Sequence, residues 1–419
     1  MAIKDRFPAL TSRDFFIFWV GQFVSLIGTW MQNTTQPYLV YRITGSSIDL
    51  GLIAFSATLP TLLLALPGGV LIERGNKRKI VILMQTIMMV QAFILAFLAL
   101  TGRIQIWLII VLSFVLGSAS TIEVTARQAM LIELVGKPAL PNAIALQSTI
   151  FNLARVLGPS LTAIILVLIK NHGEGWAFFA NGVSFLFVIA SLFFVRTPYR
   201  TVKPHPSKEK LNLSGAFKES WNYIHGNTVI LLMIILVALI GFFGFPFSNQ
   251  IPAIARNVLS RIADTEEAIA ARTSALYMAQ GVGALIAALF ISAFSTLRHK
   301  GLLMSIGQFV FSIFLVLFAL VHNLTLAIIC ICVLGWSTLI QLMLMNILIQ
   351  LDVPDELRGR VYSVYLWAQQ GVAPFGSLFF GGLAQAAGVP HAMLVCGCIC
   401  LLFFLVIHAK WPILRKKIA

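Results

Sequence analysis

Apolar segments long enough to cross a membrane recur along the whole chain, separated by short charged or turn-rich breaks. A helix needs about 20 apolar residues to cross the hydrocarbon layer of a bilayer, which is roughly 30 Å thick. Twelve segments meet this length, and they predict an all-α membrane protein with twelve transmembrane helices. The predicted spans are 14–41, 48–72, 79–101, 105–130, 142–170, 175–196, 227–256, 270–295, 300–321, 324–350, 358–387 and 390–410.

A polar stretch after the sixth span divides this pattern into two halves of six helices. Residues 197–226 contain three prolines and several basic residues, and 214–223 has the pattern of a short amphipathic helix. The sequence therefore predicts an N-terminal six-helix bundle over 1–196, a cytoplasmic linker over 197–226 and a C-terminal six-helix bundle over 227–419. Segments 140–161 and 357–378 match at an offset of 217 residues, which indicates two pseudo-symmetric halves.

The first span carries an unusual run of polar side chains. They recur at steps of three or four residues, so they form a stripe on one face of a helix. Polar groups facing lipid are costly, whereas a water-filled cavity can solvate them. We expect the stripe to line a central cavity and bind substrate; the alternative is that these groups only join helices by hydrogen bonds. The stripe consists of Gln22, Ser25, Thr29, Gln32, Asn33 and Gln36, and Asn249 and Gln250 form a similar polar tip in the seventh span.

Arg155 is the one basic residue predicted to lie inside a span, near the middle of 142–170. A charge at that depth is expensive and indicates a functional site. Asn152 shares its helix face, and Tyr365 and Gln369 occupy nearly equivalent positions in the second half. We expect Arg155 to attract an anionic group of the substrate and to take part in proton coupling. The alternative is a permanent salt bridge to Glu123.

Glu123 is the one acidic residue predicted inside a span, and Arg127 follows it by one helical turn. One interpretation makes Glu123 a proton carrier whose charge changes during transport. The other makes it a strut between Arg127 and the loop that contains Arg74 and Lys77, which would hold the cytoplasmic side closed.

Charged residues at two predicted cytoplasmic loops suggest a gate. Opposite charges there could latch one state and separate when the inside opens, although ordinary topology-setting charge explains part of the set. The proposed gate includes Gly69, Glu73, Arg74, Lys77, Arg78, Arg127, Asp352 and Arg358.

The charge distribution fixes the predicted orientation. The net charge is +15, and twenty-three of the thirty Lys and Arg residues fall on one side of the predicted spans. Basic residues accumulate in cytoplasmic loops, so both termini are predicted to be cytoplasmic. This bias accounts for most of the positive charge and leaves little basis for binding nucleic acid. The five cysteines lie inside spans and predict no disulfide framework, and no spacing indicates a metal, a cofactor or a catalytic centre.

Several motifs resemble those of the major facilitator superfamily. "GGVLIERGNKRK" resembles the family's loop between spans two and three, with Gly69, Glu73, Arg74, Lys77 and Arg78 at the matching positions. "RVLGPSL" resembles the Gly-Pro element of antiporter branches. "GQFVSLIGTW" and "DELRGRVYSVY" are similar to the branch that contains enterobactin-type siderophore exporters and macrolide efflux proteins.

One position departs from the family pattern. The fourth span often carries an arginine four residues before a glycine, but Ser113 occupies this position here. The proton-coupling role of that arginine therefore does not carry over to this chain.

The resemblance and the polar residues together predict a secondary transporter in a bacterial inner membrane. It would export a small amphipathic or anionic organic molecule, siderophore-like or drug-like, by alternating access and proton antiport. The expected partners are the small-molecule substrate, protons and membrane lipid, with no nucleic acid, and the chain is expected to act as a monomer. The alternatives are a lysophospholipid transporter of the same fold and a non-transporting membrane receptor. No nucleophile–base pair indicates an enzyme.

Overall fold

The protein is helical throughout the part of the chain that its computed structural model describes, residues 7–196, 221–260, 264–293 and 299–411. No strand occurs in these ranges, which confirms the predicted all-α class. Thirteen α-helices are numbered here in chain order. They are α1 Arg13–Thr44, α2 Ser47–Arg74, α3 Lys77–Leu100, α4 Ile106–Leu168, α5 Gly173–Phe194, α6 Thr228–Leu239, α7 Ile251–Asn257, α8 Glu266–Ala293, α9 Lys300–Leu320, α10 Leu324–Asp352, α11 Asp355–Gln370, α12 Ala373–Ala387 and α13 Val389–Lys410.

The twelve predicted spans are divided among the helices differently from the prediction. Ten described helical segments are long and apolar enough to cross a membrane. One of them, α4, has 63 residues and contains two spans, because Gly136 adopts a φ of 72° that interrupts its regular geometry. Helices α11 and α12 are short, and together they make one span. With α4 counted as two spans and α11 with α12 as one more, the ten segments give twelve crossings, the predicted number.

The seventh span is interrupted, whereas the first is a continuous helix that includes Pro37. Helix α6 leads into a π-helical turn at Ile240–Gly244, then a 3₁₀ segment at Phe245–Gln250, and finally α7. Pro246 and Pro252 lack the backbone N–H that a regular helix requires. The N–H of Ile251 instead donates to the carbonyl of Ser248. Because of this change in helix type, the polar residues at 248–250 lie on a 3₁₀ turn.

Asparagine side chains begin three of the spanning helices. Asn76 accepts a hydrogen bond from the Lys79 N–H at the start of α3. Asn227 and Asn323 each accept from two backbone N–H groups at the start of α6 and α10. Such caps satisfy donors that the first helical turn leaves unpaired. They explain why short polar breaks between apolar runs define helix boundaries here.

Large apolar side chains cover the outer surfaces of the helices. Phe97, Phe193, Leu289 and Leu402 are each at least 59% exposed, an arrangement that suits lipid rather than water. The interior is also apolar, with clusters of buried side chains among which several polar side chains are enclosed. These buried polar groups must find hydrogen-bond partners inside the protein.

The chain forms two compact units whose boundaries differ from the predicted division at two places. The first unit contains Met1–Ile43, Ser56–Pro206 and Asp264–Met278, and the second contains Thr44–Phe55, Ser207–Ala263 and Ala279–Ala419. The beginning of α2 therefore belongs to the second unit, and the beginning of α8 to the first. Of the predicted linker over 197–226, residues 197–220 lie outside the described part of the chain.

Candidate functional site

Arg155 lies in the second span of α4 and contacts Trp30 of α1. Its guanidinium carbon is 5.4 Å from the centre of the Trp30 ring, and the side chain is half-buried. Phe151, one turn earlier on α4, packs edge-on against the same ring at 5.6 Å. Within the described residues no carboxylate forms an ion pair with Arg155. A cation held in this way keeps its charge and its N–H donors available.

Glycine at position 158 permits this contact between α1 and α4. A Cβ atom added to Gly158 would lie 2.4 Å from the Trp30 Cβ and 2.9 Å from the Met31 backbone nitrogen. One turn further, the Thr162 hydroxyl donates to the Met31 carbonyl at 3.3 Å. The Gly-Pro element of the sequence therefore lies where the two helices are in close contact.

The predicted polar stripe of α1 divides between the interior of the first unit and its surface. Gln22, Ser25, Gln32 and Gln36 are buried. Thr29 is half-buried, and its hydroxyl donates to the Ser25 carbonyl of the same helix. Of the six residues, Asn33 alone is exposed.

Gln32 is the centre of a buried hydrogen-bond network. Its carbonyl accepts from the Asn181 amide at 2.7 Å, and its amide donates to Gln36 and Gln91 at 3.2 Å each. Gln36 in turn donates to the Ser113 hydroxyl at 2.8 Å. These contacts join α1 to α3, α4 and α5, and they match the alternative interpretation in which amides connect helices.

Glu123 is buried and pairs with Arg127 rather than with Arg155. The Arg127 Nε donates to the Glu123 carboxylate at 3.0 Å, and the Gln85 amide of α3 donates to the same oxygen at 3.0 Å. Arg127 also contacts the Gln147 side chain at 3.4 Å. The salt bridge between Arg155 and Glu123, which was the alternative interpretation, is absent from the described contacts, because Glu123 pairs with Arg127 one turn later.

Lys77 of the proposed gate pairs with Glu133 of α4, an acid that the sequence analysis did not single out. Of the strut interpretation, the described contacts show Glu123 with Arg127 and Gln85, and Lys77 with Glu133. Gly69 and the side chains of Glu73 and Arg74 lie outside the described part of the structure. Arg78 directly follows Lys77 and lies at the start of α3.

The polar tip of the seventh span is engaged by side chains and backbone of its own unit. The Asn249 amide donates to Ser377 of α12 at 3.2 Å, and the buried Gln250 donates to the Ser47 carbonyl at 3.0 Å. Ser248 accepts from Gln280 of α8 at 2.7 Å. Asn249 is half-buried and remains accessible in part, whereas Gln250 is enclosed.

The residues of the second half that correspond to the helix face of Arg155 carry no charge and contact neighbouring helices. Tyr365 is buried, stacks on Tyr362 at 5.8 Å and donates to the Leu342 carbonyl at 3.3 Å. Gln369 is half-buried, and its backbone carbonyl approaches Gly241 of the π-helical turn. Asn152, on the face of Arg155, donates to the Ser148 carbonyl of its own helix at 2.8 Å.

Asp352 and Arg358, the gate residues of the second half, make contacts within the second unit. Asp352 accepts a hydrogen bond from the Asn227 amide at 3.1 Å, which ties the end of α10 to the start of α6. Arg358 contacts the Val353 carbonyl at 3.5 Å. The described residues contain no group of three or more His, Cys, Asp or Glu side chains arranged to hold a metal ion.

A family model described as a transmembrane secretion effector matches residues 5–417. This match covers nearly the whole chain. The chain belongs to this family of the major facilitator superfamily. It is a membrane transporter and not an enzyme, as the sequence predicted.

Characterised relatives of the transporter are similar along almost their full length. The staphyloferrin A transporter of Staphylococcus aureus is 23% identical and covers 93% of this chain and 95% of its own. The enterobactin exporter EntS of Escherichia coli O81 is 24% identical, with coverages of 91% and 90%. This agrees with the branch to which the sequence motifs pointed.

Solved structures show the same fold at low sequence identity. A POT family transporter has a TM-score of 0.73 at 12% identity and covers 96% of this chain and 97% of its own. The xylose transporter XylE of E. coli has a TM-score of 0.67 at 14% identity, with coverages of 93% and 95%. These similarities establish the architecture of the transporter and carry no information on its substrate.

Four further polar residues of the first unit, which the sequence patterns did not single out, form buried hydrogen bonds or ion pairs in the transporter. Gln91 and Asn181 bind Gln32, Gln85 binds Glu123, and Glu174 pairs with Arg42 at 3.1 Å. Each is an isolated amide or acid in or beside an apolar run. That isolation is a signal that could have identified them, because a lone polar group inside a span needs a partner.

Proposed function

We propose that this transporter exports a small anionic organic molecule of the siderophore type from the cytoplasm by alternating access. The observation that carries the proposal is the half-buried guanidinium of Arg155, which no carboxylate neutralises within the described residues. A buried charge without an ionic partner is costly, so a protein retains one where a ligand of opposite charge arrives. The relatives named for staphyloferrin A and enterobactin export support this substrate class.

Substrate contacts are proposed for the accessible polar residues. Asn33 is exposed one turn from Trp30 and Thr29 is half-buried, so both can meet a ligand that Arg155 attracts. Asn249 and Gln369, both half-buried, are the corresponding candidates in the second unit. The buried glutamines of α1 hold that helix in place by hydrogen bonds to three neighbouring helices. They therefore position the accessible residues of α1 without contacting the substrate themselves.

Proton antiport is the proposed source of energy. Glu123 and Arg155 are the candidates for coupling, since they are ionisable groups of the spanning helices in the first unit. The ion pair between Glu123 and Arg127 supports a structural role for the acid in the arrangement described here. We further propose a monomer in the bacterial inner membrane with both termini in the cytoplasm, as the distribution of Lys and Arg indicates.

The test compares cells that have the gene with cells that lack it, in iron-poor and iron-rich medium. Mass spectrometry would quantify iron-chelating compounds outside and inside the cells. We expect deletion to lower the extracellular amount and raise the intracellular amount in iron-poor medium, and a plasmid copy to restore both. Equal secretion with and without the gene under iron limitation would reject the siderophore assignment.

A further inference from the structure

One face of the second span of α4 is built around the side chain of Trp30. Phe151, Arg155, Gly158 and Thr162 recur at steps of four, three and four residues, so they lie on one side of the helix. Each contacts either the Trp30 ring, the Trp30 backbone or the adjacent Met31. Trp30 is therefore packed against this face of α4, beside Arg155.

The Trp30 ring stabilises the Arg155 charge in a way that a carboxylate would not. An aromatic face attracts a cation through its quadrupole, and more strongly when the pair is desolvated. A carboxylate would accept two N–H groups and occupy the hydrogen-bonding edge of the guanidinium. Within the described residues no side chain or backbone acceptor bonds to Arg155, so its five donors stay available.

A guanidinium with free donors has a defined preference among ligands. Its fork of N–H groups matches a planar oxyanion that offers two oxygen atoms and is ionised at neutral pH, such as a carboxylate. A lipophilic cation is repelled by the same group. A lysine at this position would provide a point charge without the fork.

We propose that Trp30 is a specificity-determining residue that holds Arg155 ready for a bidentate oxyanion on the exported molecule. This inference rests on the proposed function, because it requires that Arg155 meets the substrate. It adds the recognised chemical group and assigns the selection to a residue that does not itself bind the oxyanion. Trp30 acts as a positioning residue for Arg155.

The experiment measures binding of two small probes to the purified full-length transporter by calorimetry. The probes are 2,3-dihydroxybenzoate and 2,3-dihydroxybenzamide, which have nearly the same shape but differ in the carboxylate. We expect the wild-type protein to prefer the acid by about tenfold, the contribution of a charge-assisted bidentate contact. Absence of any preference for the acid would overturn the proposal.

Four variants separate the role of the ring from that of the charge. Trp30→Leu should weaken binding of the acid about fivefold or more, and Trp30→Phe, which keeps an aromatic face, should weaken it less. Arg155→Lys should lose about tenfold, because it keeps the charge and loses the fork. Trp107→Leu, at an exposed tryptophan, is the matched control and should bind as the wild type does. Binding of the amide should stay constant in all of them.

A second measurement does not depend on a destabilising substitution. Addition of the acid to the wild-type protein should change tryptophan fluorescence, because the guanidinium over the Trp30 ring becomes engaged by the ligand. The amide should produce no such change, and Trp30→Phe should abolish the change caused by the acid. Equal affinity of wild type and Trp30→Leu for the acid, or an unaltered fluorescence change in Trp30→Phe, would overturn the proposal.

The proposal for the substrate and the proposal for Trp30 can be rejected independently of each other. Unchanged secretion after gene deletion would reject the siderophore substrate, even if the probes bind as expected. Normal secretion by the wild type with no effect of Trp30 on probe binding would reject the role of Trp30 and leave the transport function in place.

Discussion

At the scale of single residues, Arg155 could be identified from the sequence while its partner could not. A charged residue inside an apolar span is visible in the sequence, and its cost identifies it as a functional candidate. Glu123, the partner in the alternative interpretation, instead contacts Arg127 and Gln85. Residues four apart on a helix are neighbours whatever the packing of that helix, so the ion pair of Glu123 with Arg127 does not depend on a second span. The interaction with Trp30 depends on helix packing, which the sequence pattern does not specify.

The buried position of Gln32 makes a prediction that separates packing from substrate binding. Gln32→Leu leaves the Asn181 and Gln91 amides without their partner, at a cost of about 1–3 kcal/mol for an unsatisfied group. We expect a lower melting temperature in detergent. Asn33→Leu, at the adjacent exposed position, should leave the melting temperature unchanged and reduce transport. A stable Gln32→Leu protein with impaired transport would favour the cavity-lining role instead.

The Glu123–Arg127 pair makes a second prediction about stability. Glu123→Gln leaves a largely buried arginine without its counter-ion, and we expect a loss of about 1–3 kcal/mol. Arg127→Gln should have a similar effect. The double variant should cost less than the two single losses combined, since the interaction is removed only once. Additive losses in thermal unfolding would show that the pair does not couple.

At the scale of helices, hydropathy predicted the number of spans but not how the chain forms them. The apolar runs are long and well separated, so twelve crossings could be read from the sequence. The fourth and fifth spans were predicted as separate, over 105–130 and 142–170, yet helical structure continues between them with a break in φ at Gly136. Two glycines and two prolines in 241–252 lie in an apolar run, and only packing determined that they produce π and 3₁₀ turns.

The close approach of α1 and α4 gives a prediction at the same scale. Gly158→Ala places a Cβ within 2.4 Å of the Trp30 Cβ, so the helices must separate and move the ring from Arg155. We expect transport to fall about fivefold or more and stability to decrease by about 1–3 kcal/mol, as for other overpacked sites. Gly382→Ala is the control, because no heavy atom lies within 4 Å of its added Cβ. Equal transport by the two variants would exclude a need for this contact.

At the scale of the whole molecule, the sequence was sufficient for the family and the membrane architecture. Hydropathy, charge asymmetry and the motif around 69–78 are properties of local sequence, and they pointed to the superfamily that the match over 5–417 establishes. Unit membership was less predictable, since the first turns of α2 and α8 each belong to the unit opposite to their place in the chain. That membership depends on contacts between residues far apart in sequence.

The most direct measurement of the central claim is secretion by cells that carry Arg155 variants in place of the wild-type gene. Export of iron-chelating compounds in iron-poor medium would be normalised to the amount of protein in the membrane, with Arg103→Gln at an exposed position as the control. We expect Arg155→Gln to lower export about tenfold or more, Arg155→Lys to retain part of it, and Arg103→Gln to have no effect. Export by Arg155→Gln at the wild-type level would show that transport does not need the Arg155 guanidinium.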